Sequence, residues 1–543
     1  MNLKNKTLYV VDIRSRQKKI KLIENDVQNI EILALTPYST YLLDILNYKY
    51  DTFHKIISLK EFHRLRWKEY YKLEKLFLKA KNYSFLIREL AFILGYKVYI
   101  QLLFEYFEVK KKDGFKIIYI TDVNFSKSNF TFNISNINEV IHIKTKNKLF
   151  SRVNNIIFIL KYNFYQKNIK NKFLNILPTK LELNYDNENY RNIFESFNVI
   201  NIKKDKVIYK EFSSFIEKIE KIFIKNESIE FTLKQLQEVL IKIKEDLLIK
   251  NTNLNVKLHP FTILYNNKNY LDILLYTKNK IPKIFMQHGS YLVETVFLKH
   301  GEIYPADINF VFNDYTKKLF ERNGAKKVYS VGSVNFNYLI HNKKEKYDFL
   351  YIVYCTNYTY PGVFISTESS LQSVDGTDIY MRHKSIIELF GTQFRDKKIC
   401  IKIQPGIFVG SMLYVPFFEL SKKFKNITIE FTVPISKLIE KSTYIISDYF
   451  SSEFINREVH YKRDIILFKG LPFLLPKDVL DDMEKMFILV DTVNDLEEKV
   501  KNIEEITKNR KRYDDIIEYY SSKKCDTKKV VNDILKKELN ARR

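Results

Sequence analysis

Apolar and polar positions along this chain fall into two rhythms. Short runs of β-branched and aromatic residues recur as TLYVVDI near the amino end, FKIIYITDV (Phe115–Val123) and NNIIFILKY (Asn154–Tyr162). Runs of this length and composition predict buried strands. EILALTPYSTYLLDIL predicts a strand over Glu31–Leu35, a turn at Thr36-Pro37 and then a helix. From about residue 59 to 107 the rhythm becomes helical, and FLIRELAFILGYKVYIQLLFEYF is strongly apolar. This stretch reads either as a buried helical pair or as a helix lying in a membrane interface, which its aromatics and neighbouring lysines would suit. Residues about 205–250 carry a further amphipathic helical pattern.

Beyond residue 255 the alternation is regular. HPFTILYNN, KIFMQHG, ADINFVFN, KVYSVG, FLYIVYCTN, KICIKIQPG, NITIEFT, YIISDYFSS and DIILFKG read as strands. NYLDILLYTKNK, DYTKKLFERNG, SIIELFGTQF, FFELSKKF and ISKLIEKS read as the helices between them. Strands separated by helical segments imply parallel sheets built from βαβ units. The predicted class is α/β, with two doubly wound, Rossmann-like domains facing a cleft. Their expected limits are 1–335, with a helical insertion at about 59–107, and 345–490. A helical, mixed-charge tail over 491–543 packs across the domains or lies on the surface. Ligands of such sheets bind beyond the carboxyl ends of the strands.

Composition narrows the classes. The 42 Phe and 38 Tyr in 543 residues exclude a disordered chain, and the length favours several domains. No long uninterrupted apolar window predicts a membrane span, and the amino end reads as a first strand rather than a signal peptide. Three scattered cysteines (Cys355, Cys400, Cys525) form neither a disulfide framework nor a zinc pattern. They suit a reducing, cytoplasmic compartment. The net charge of +26 fits an anionic lipid surface or a phosphorylated substrate at least as well as nucleic acid. Lysine is scattered in a chain crowded with Lys, Asn, Ile, Tyr and Phe, so nucleic acid is not the expected partner. Of only 12 glycines, nine lie between Gly289 and Gly410. Several directly follow strand-like runs, where backbone must turn tightly or approach a ligand closely.

Four stretches carry candidate chemistry. Gln287-His288-Gly289-Ser290 ends a strand, so His288 can face a cleft as a general base or a hydrogen-bond donor; the competing reading is a helix-capping histidine. Gly332-Ser333 follows a strand and offers N–H groups and a hydroxyl to a phosphate, or serves as an interdomain turn. Lys402-Ile403-Gln404-Pro405-Gly406 ends another strand, with Lys402 and Gln404 on one face. Asp448 through Ser451-Ser452 runs from a strand into a hydroxyl-rich turn and a helix start, which suits a nucleotide diphosphate or simple capping.

The order and spacing of these stretches resemble the GT-B-fold transferases of bacterial surface polysaccharide synthesis. Those include the capsule and lipopolysaccharide glycosyltransferases and, more distantly, the CDP-glycerol glycerophosphotransferases of teichoic acid synthesis. The residues that carry the resemblance are Ile281-Pro282 through Gln287-His288-Gly289, Gly332-Ser333 through Asn337, Phe349-Leu350-Tyr351 onward to Thr356, Lys402 through Pro405, and Asp448 with Ser451-Ser452. Clear similarity spans roughly residues 255–470, and LALTPYSTYLLDIL also looks like the opening of such proteins. In this chain Gln404 stands where the family usually has His; a glutamine hydrogen-bonds but carries no proton at neutral pH.

The resemblance implies a metal-independent glycosyltransferase without a cofactor, taking a nucleotide-activated sugar as donor and a glycan or lipid-linked acceptor. It implies a place in the cytoplasm, at the inner face of the plasma membrane, with peripheral membrane contact. It assigns the donor to Gly332, Ser333, Lys402, Gln404, Asp448, Ser451 and Ser452, the acceptor to Gln287, Gly289 and Ser290, and catalysis to His288. Three rivals remain: a polyol phosphotransferase, a non-catalytic scaffold of the same fold (which Gln404 favours), and a nucleotide-sugar 2-epimerase. P-loop, GxGxxG, HExxH and GxSxG patterns are absent from the sequence.

Overall fold

A computed structural model describes residues 6–13, 30–79, 87–121, 137–142, 200–203, 255–258, 262–263, 277, 280–287, 292, 294, 298–333, 346–353, 376–403, 420–430, 433–447, 463–469, 475–511 and 513–540. The expected strand at Asn154–Tyr162 and the expected helix at about 205–250 lie outside them, as does most of NYLDILLYTKNK; of FFELSKKF, residues 420–424 are described, and only Leu420 and Ser421 of these are helical.

The first sheet consists of β1 (Lys6–Asp12), β2 (Ile30–Ala34), β3 (Asp51–Thr52), β4 (Phe115–Thr121) and β5 (Glu139–His142), in the order β3-β2-β1-β4-β5. All its pairings are parallel, so helices must carry the chain between strands. α1 (Pro37–Ile45) starts at Thr36, whose hydroxyl accepts from the Ser39 N–H while Pro37 supplies a pre-set first turn. The hairpin α2 (Leu59–Lys79) and α3 (Ile87–Lys112) precedes β4. Side chains alternate across the sheet. Leu8, Val10 and Ile117 meet Phe62, Leu103 and Phe107 of the hairpin on one face. Tyr9, Val11 and Ile120 meet Tyr38 and Leu42 of α1 on the other. α2 and α3 are thus a helical pair that packs on the sheet through Phe62, Leu103 and Phe107.

A two-stranded antiparallel ribbon joins β6 (Ile200–Lys203) to β7 (Asn255–Leu258). The second sheet is β11-β10-β9-β8, from β8 (Thr262–Ile263), β9 (Lys283–Met286), β10 (Ile308–Val311) and β11 (Val328–Ser330), again parallel. α4 (Asp314–Arg322) is capped by Asn313, which accepts from the Thr316 N–H, and Gly324 follows it at φ +85°.

The third sheet is the largest. It holds β12 (Tyr347–Val353), β13 (Ile399–Ile403), β14 (Ile427–Glu430), β15 (Ser442–Ser447), β16 (Asp464–Phe468) and β17 (Ile488–Val490). The order β14-β13-β12-β15-β16-β17 is all parallel, which is the doubly wound order 3-2-1-4-5-6. The first sheet repeats its first five places. One face of the third sheet (Phe349, Tyr351, Ile401, Ile446, Ile466) packs on α5 (Gly376–Thr392). The other (Leu350, Ile352, Cys400, Ile445, Leu467) shares a core with Phe285, Val311 and Leu319 of the second sheet and α4. The first sheet's elements reach the third directly: Lys384 of α5 donates to Asp44 of α1 at 2.7 Å, and Tyr50 donates to the same carboxylate at 2.9 Å.

Between and after these strands lie α6 (Ile435–Ile439), α7 (Lys477–Met486), α8 (Val493–Lys501), α9 (Ile503–Asn509), α10 (Asp514–Tyr520) and α11 (Thr527–Asn540). The tail turns back to the second sheet, where Val531 and Leu535 of α11 bury against Ile284, Met286, Ile308 and Phe310.

Candidate functional site

Of the candidate donor residues that are described, Lys402 lies at the carboxyl edge of the third sheet, whereas Gly332 and Ser333 follow β11 of the second. Ile352 of β12 pairs in register with Lys402 of β13 on one side and with Ser447 of β15 on the other. Three strands at the usual spacing put Lys402 and Ser447 about 10 Å apart along one row, on one face of the sheet. The row ends at Glu430, the register partner of Lys402 on β14. β12 and β15 are the strands between which the winding reverses, the position where doubly wound sheets open a crevice. Gln404 lies just beyond β13, and Asp448, Ser451 and Ser452 just beyond β15; all four are outside the described residues.

Lys402 and Ser447 are both buried. Removal from water disfavours the Lys402 ammonium and lowers it to about 8, against the opposing pull of Glu430 and Cys400. Burial likewise pushes the Cys400 thiol up to about 12, which leaves it an inert core residue. A lysine in an otherwise apolar strand, ICIKI, is costly to bury.

At the second sheet, Gln287 follows β9 directly and is buried. Its side-chain Oε1 accepts from the Phe312 N–H at 2.5 Å, and its own N–H donates to the Phe310 carbonyl at 2.9 Å. Gln287 therefore pins the carboxyl ends of β9 and β10 together, immediately before His288. His288, Gly289 and Ser290 lie outside the described residues. Gly332 has φ +71°, and a Cβ there would come within 2.3 Å of the Lys523 carbonyl oxygen. The tail thus covers Gly332, and Ser333 beside it is buried. Gly391 sits equally tightly against the Phe424 ring. Gly332 and Gly391, with Gly324 after α4, serve packing and chain reversal; Gly289, Gly362, Gly406 and Gly410 lie outside the described residues.

Reading for glycine and histidine motifs passed over Asp12. It ends β1, is wholly buried, and accepts from the Tyr119 hydroxyl at 2.9 Å. Its register partner Thr121 ends β4 and is also buried. Asp12 and Thr121 sit where the winding of the first sheet reverses, the counterpart of the Ile352 row. Beside them the Thr36 hydroxyl donates to the Ile13 carbonyl at 2.5 Å, and the Ser39 hydroxyl accepts from the Ile13 N–H at 2.9 Å. The signal in the sequence was a carboxylate closing an apolar run, VVD. Among the described residues, no group of three or more His, Cys, Asp or Glu is gathered as a metal site requires. Among those residues, too, no helix is long and apolar enough to cross a membrane.

The fold and this edge define an α/β protein of doubly wound parallel sheets with a polar switch point in each of two of them. No family model matches the chain, and no curated protein matches it in sequence. Among solved structures it is similar to UDP-GlcNAc 2-epimerase from Methanocaldococcus jannaschii, at 17% identity over 56% of this chain and 82% of that one, with a TM-score of 0.31. It is similar to a glycosyltransferase from Rickettsia africae at 11% identity over 84% and 95%, with a TM-score of 0.30. It is also similar to the pneumococcal O-GlcNAc transferase GtfA, solved with UDP and GlcNAc, at 12% identity over 49% and 54%, with a TM-score of 0.31. Superpositions at this level assign no activity to this chain.

Proposed function

We propose that the protein is a GT-B-type glycosyltransferase that moves a sugar from a nucleotide-activated donor to a cell-surface polysaccharide or lipid-linked acceptor. One observation carries the proposal: Lys402 and Ser447 flank Ile352 in one row at the switch point of the third sheet, so the Gln404 and Asp448–Ser452 segments leave the sheet on either side of it. In this reading residues 345–490 bind the donor and residues 1–335 the acceptor. Lys402 supplies charge to the diphosphate, Ser451 and Ser452 supply hydroxyls, and Gln404 donates a neutral hydrogen bond. An acceptor hydroxyl oxygen bonds to the anomeric carbon as the carbon–oxygen bond to the nucleoside diphosphate breaks. His288 takes the proton from the hydroxyl, and Gln287 holds the strand end that carries it. Charge developing on the leaving diphosphate is met by Lys402 and by backbone N–H groups, without need of a metal. Gly332 contributes by holding the tail, and Asp12 with Thr121 lines the acceptor side.

The test is a thermal-shift titration with CMP, CDP, UDP and GDP, with Ser451→Ala/Ser452→Ala beside wild type. A nucleotide at 100 times its dissociation constant adds about 2.7 kcal/mol. A shift with one nucleotide, lost in the double variant, is expected and names the donor class; CDP alone would favour the polyol phosphotransferase. No shift with any nucleotide overturns the enzyme reading in favour of a scaffold, the role that Gln404 in place of histidine suits. Loss of transfer in a folded His288→Ala variant checks the base.

A further inference from the structure

The outer face of α2 carries a stripe that the transfer reaction does not use. Lys60, Arg64, Lys68, Tyr71, Lys75 and Leu78 are all exposed, and their spacing of four or three residues aligns them along one side of the helix. Tyr71 and Leu78 stand out at 54% and 47% exposure. The opposite side, with Phe62, Arg66, Tyr70 and Phe77, is buried toward the first sheet and its neighbours. The three acids of α2 lie off the stripe and are only partly exposed. Glu61 pairs with Arg64, and Glu74 turns toward His300 at 3.6 Å. The Glu61 pair offsets the charge of Arg64, so the stripe's positive charge centres on Lys68 and Lys75, beside the apolar Tyr71 and Leu78.

We propose that this face of α2 docks the protein on an anionic lipid bilayer. From Lys60 to Leu78 the helix runs about 27 Å, a flat line long enough for every stripe residue to meet one planar surface at once. Lys68 and Lys75 meet lipid phosphates, and Tyr71 and Leu78 enter the headgroup boundary, the pairing that interfacial helices use. An aliphatic Leu78 has no counterpart in a nucleic-acid backbone, whereas a bilayer accepts it. The inference is independent of the donor site.

The experiment is co-sedimentation of the full chain with vesicles of phosphatidylglycerol and phosphatidylcholine, or of phosphatidylcholine alone, at about 0.1 M salt. Wild type is expected to bind the anionic vesicles and not the neutral ones. Lys68→Gln/Lys75→Gln should weaken binding roughly thirtyfold, about fivefold per cation. Tyr71→Ser/Leu78→Ser should weaken it about tenfold more evenly across salt concentrations. All these positions are exposed, and an unchanged melting temperature confirms that the variants fold. Three results overturn the proposal: no binding to anionic vesicles, binding that the lysine variant leaves unchanged, or lysine-dependent binding to a single-stranded oligonucleotide with none to vesicles.

Discussion

Replacing Lys402 with methionine asks whether the buried amine serves the fold or a ligand. Burial lowers this ammonium from the ordinary 10.5 to about 8, net of the attraction from Glu430. At about 1.4 kcal/mol per pH unit, the charged side chain costs the folded state about 3 kcal/mol. Below pH 8 both folded and unfolded chains hold the proton, and the full cost applies. Between about pH 8 and 10.5 the unfolded chain holds it and the folded chain does not, so this group's contribution to stability rises with pH. Above 10.5 the cost is gone. Methionine keeps the length and apolar stem without the charge, so Lys402→Met should be about 3 kcal/mol more stable at pH 7. That advantage should close by pH 10.5. Urea unfolding of both proteins at pH 7, 8.5 and 10 measures it, because the other titrating groups cancel in the difference. The same variant should lose its nucleotide-dependent thermal shift, a trade of function for stability. A variant less stable than wild type at pH 7, or a difference that does not change with pH, would refute the reasoning, since the ammonium would then be fully compensated where it lies.

Three further substitutions test the surroundings of the site. Gly332→Ala forces an L-residue to φ +71° and drives its Cβ into the Lys523 carbonyl; a loss of about 2 kcal/mol or more is expected, with faster limited proteolysis of the tail. Gly391→Ala, within α5, would ordinarily gain up to about 1 kcal/mol. Here the Cβ would lie 2.3 Å from the Phe424 ring, so chemical denaturation should instead show a loss of about 1–3 kcal/mol. Gln287→Ala leaves the buried Phe312 N–H without its acceptor; about 1–3 kcal/mol should be lost, and under the proposed mechanism turnover should fall with little change in nucleotide affinity.

Much of the architecture is legible because it rests on strong periodic signals. The buried runs of β1, β4, β10, β12, β13 and β16 are apolar and β-branched, and DYTKKLFERNG marks α4 by its helical spacing and its closing Gly324. Two- and three-residue strands such as β3 and β17 carry no period of their own and take shape from their neighbours. The β6–β7 ribbon pairs INIK with NVKL across more than fifty residues, a register that local pattern does not encode. At the site, Lys402 is legible because a lysine inside ICIKI contradicts its surroundings. Asp12 carries the same kind of contradiction, yet glycine and histidine motifs drew the reading elsewhere. At Gly332 and Gly391 the glycine is retained because the protein's own backbone or ring comes close, a demand that local pattern does not distinguish from approach to a ligand.

The tail gives the carboxyl edge of β9 and β10 its mechanical support. Phe312 lies between the two: its N–H donates to Gln287, and its carbonyl accepts from the Lys523 N–H at 2.8 Å. Around it, Asn313 donates to the Tyr520 carbonyl at 2.7 Å, and the Cys525 thiol donates to the Val331 carbonyl at 3.0 Å. Further along, the Tyr329 hydroxyl donates to Glu538 at 2.7 Å while Val531 and Leu535 close the apolar layer over β9 and β10. The strand end that presents His288 is thus fixed from behind by residues more than 200 positions later in the chain. A histidine that exchanges a proton needs a strand end that does not shift, since misplacement by an ångström can cost two orders of magnitude in rate. Under the proposed mechanism Gly332 acts only indirectly: it lets the tail approach, the tail holds Phe312, and Phe312 holds Gln287.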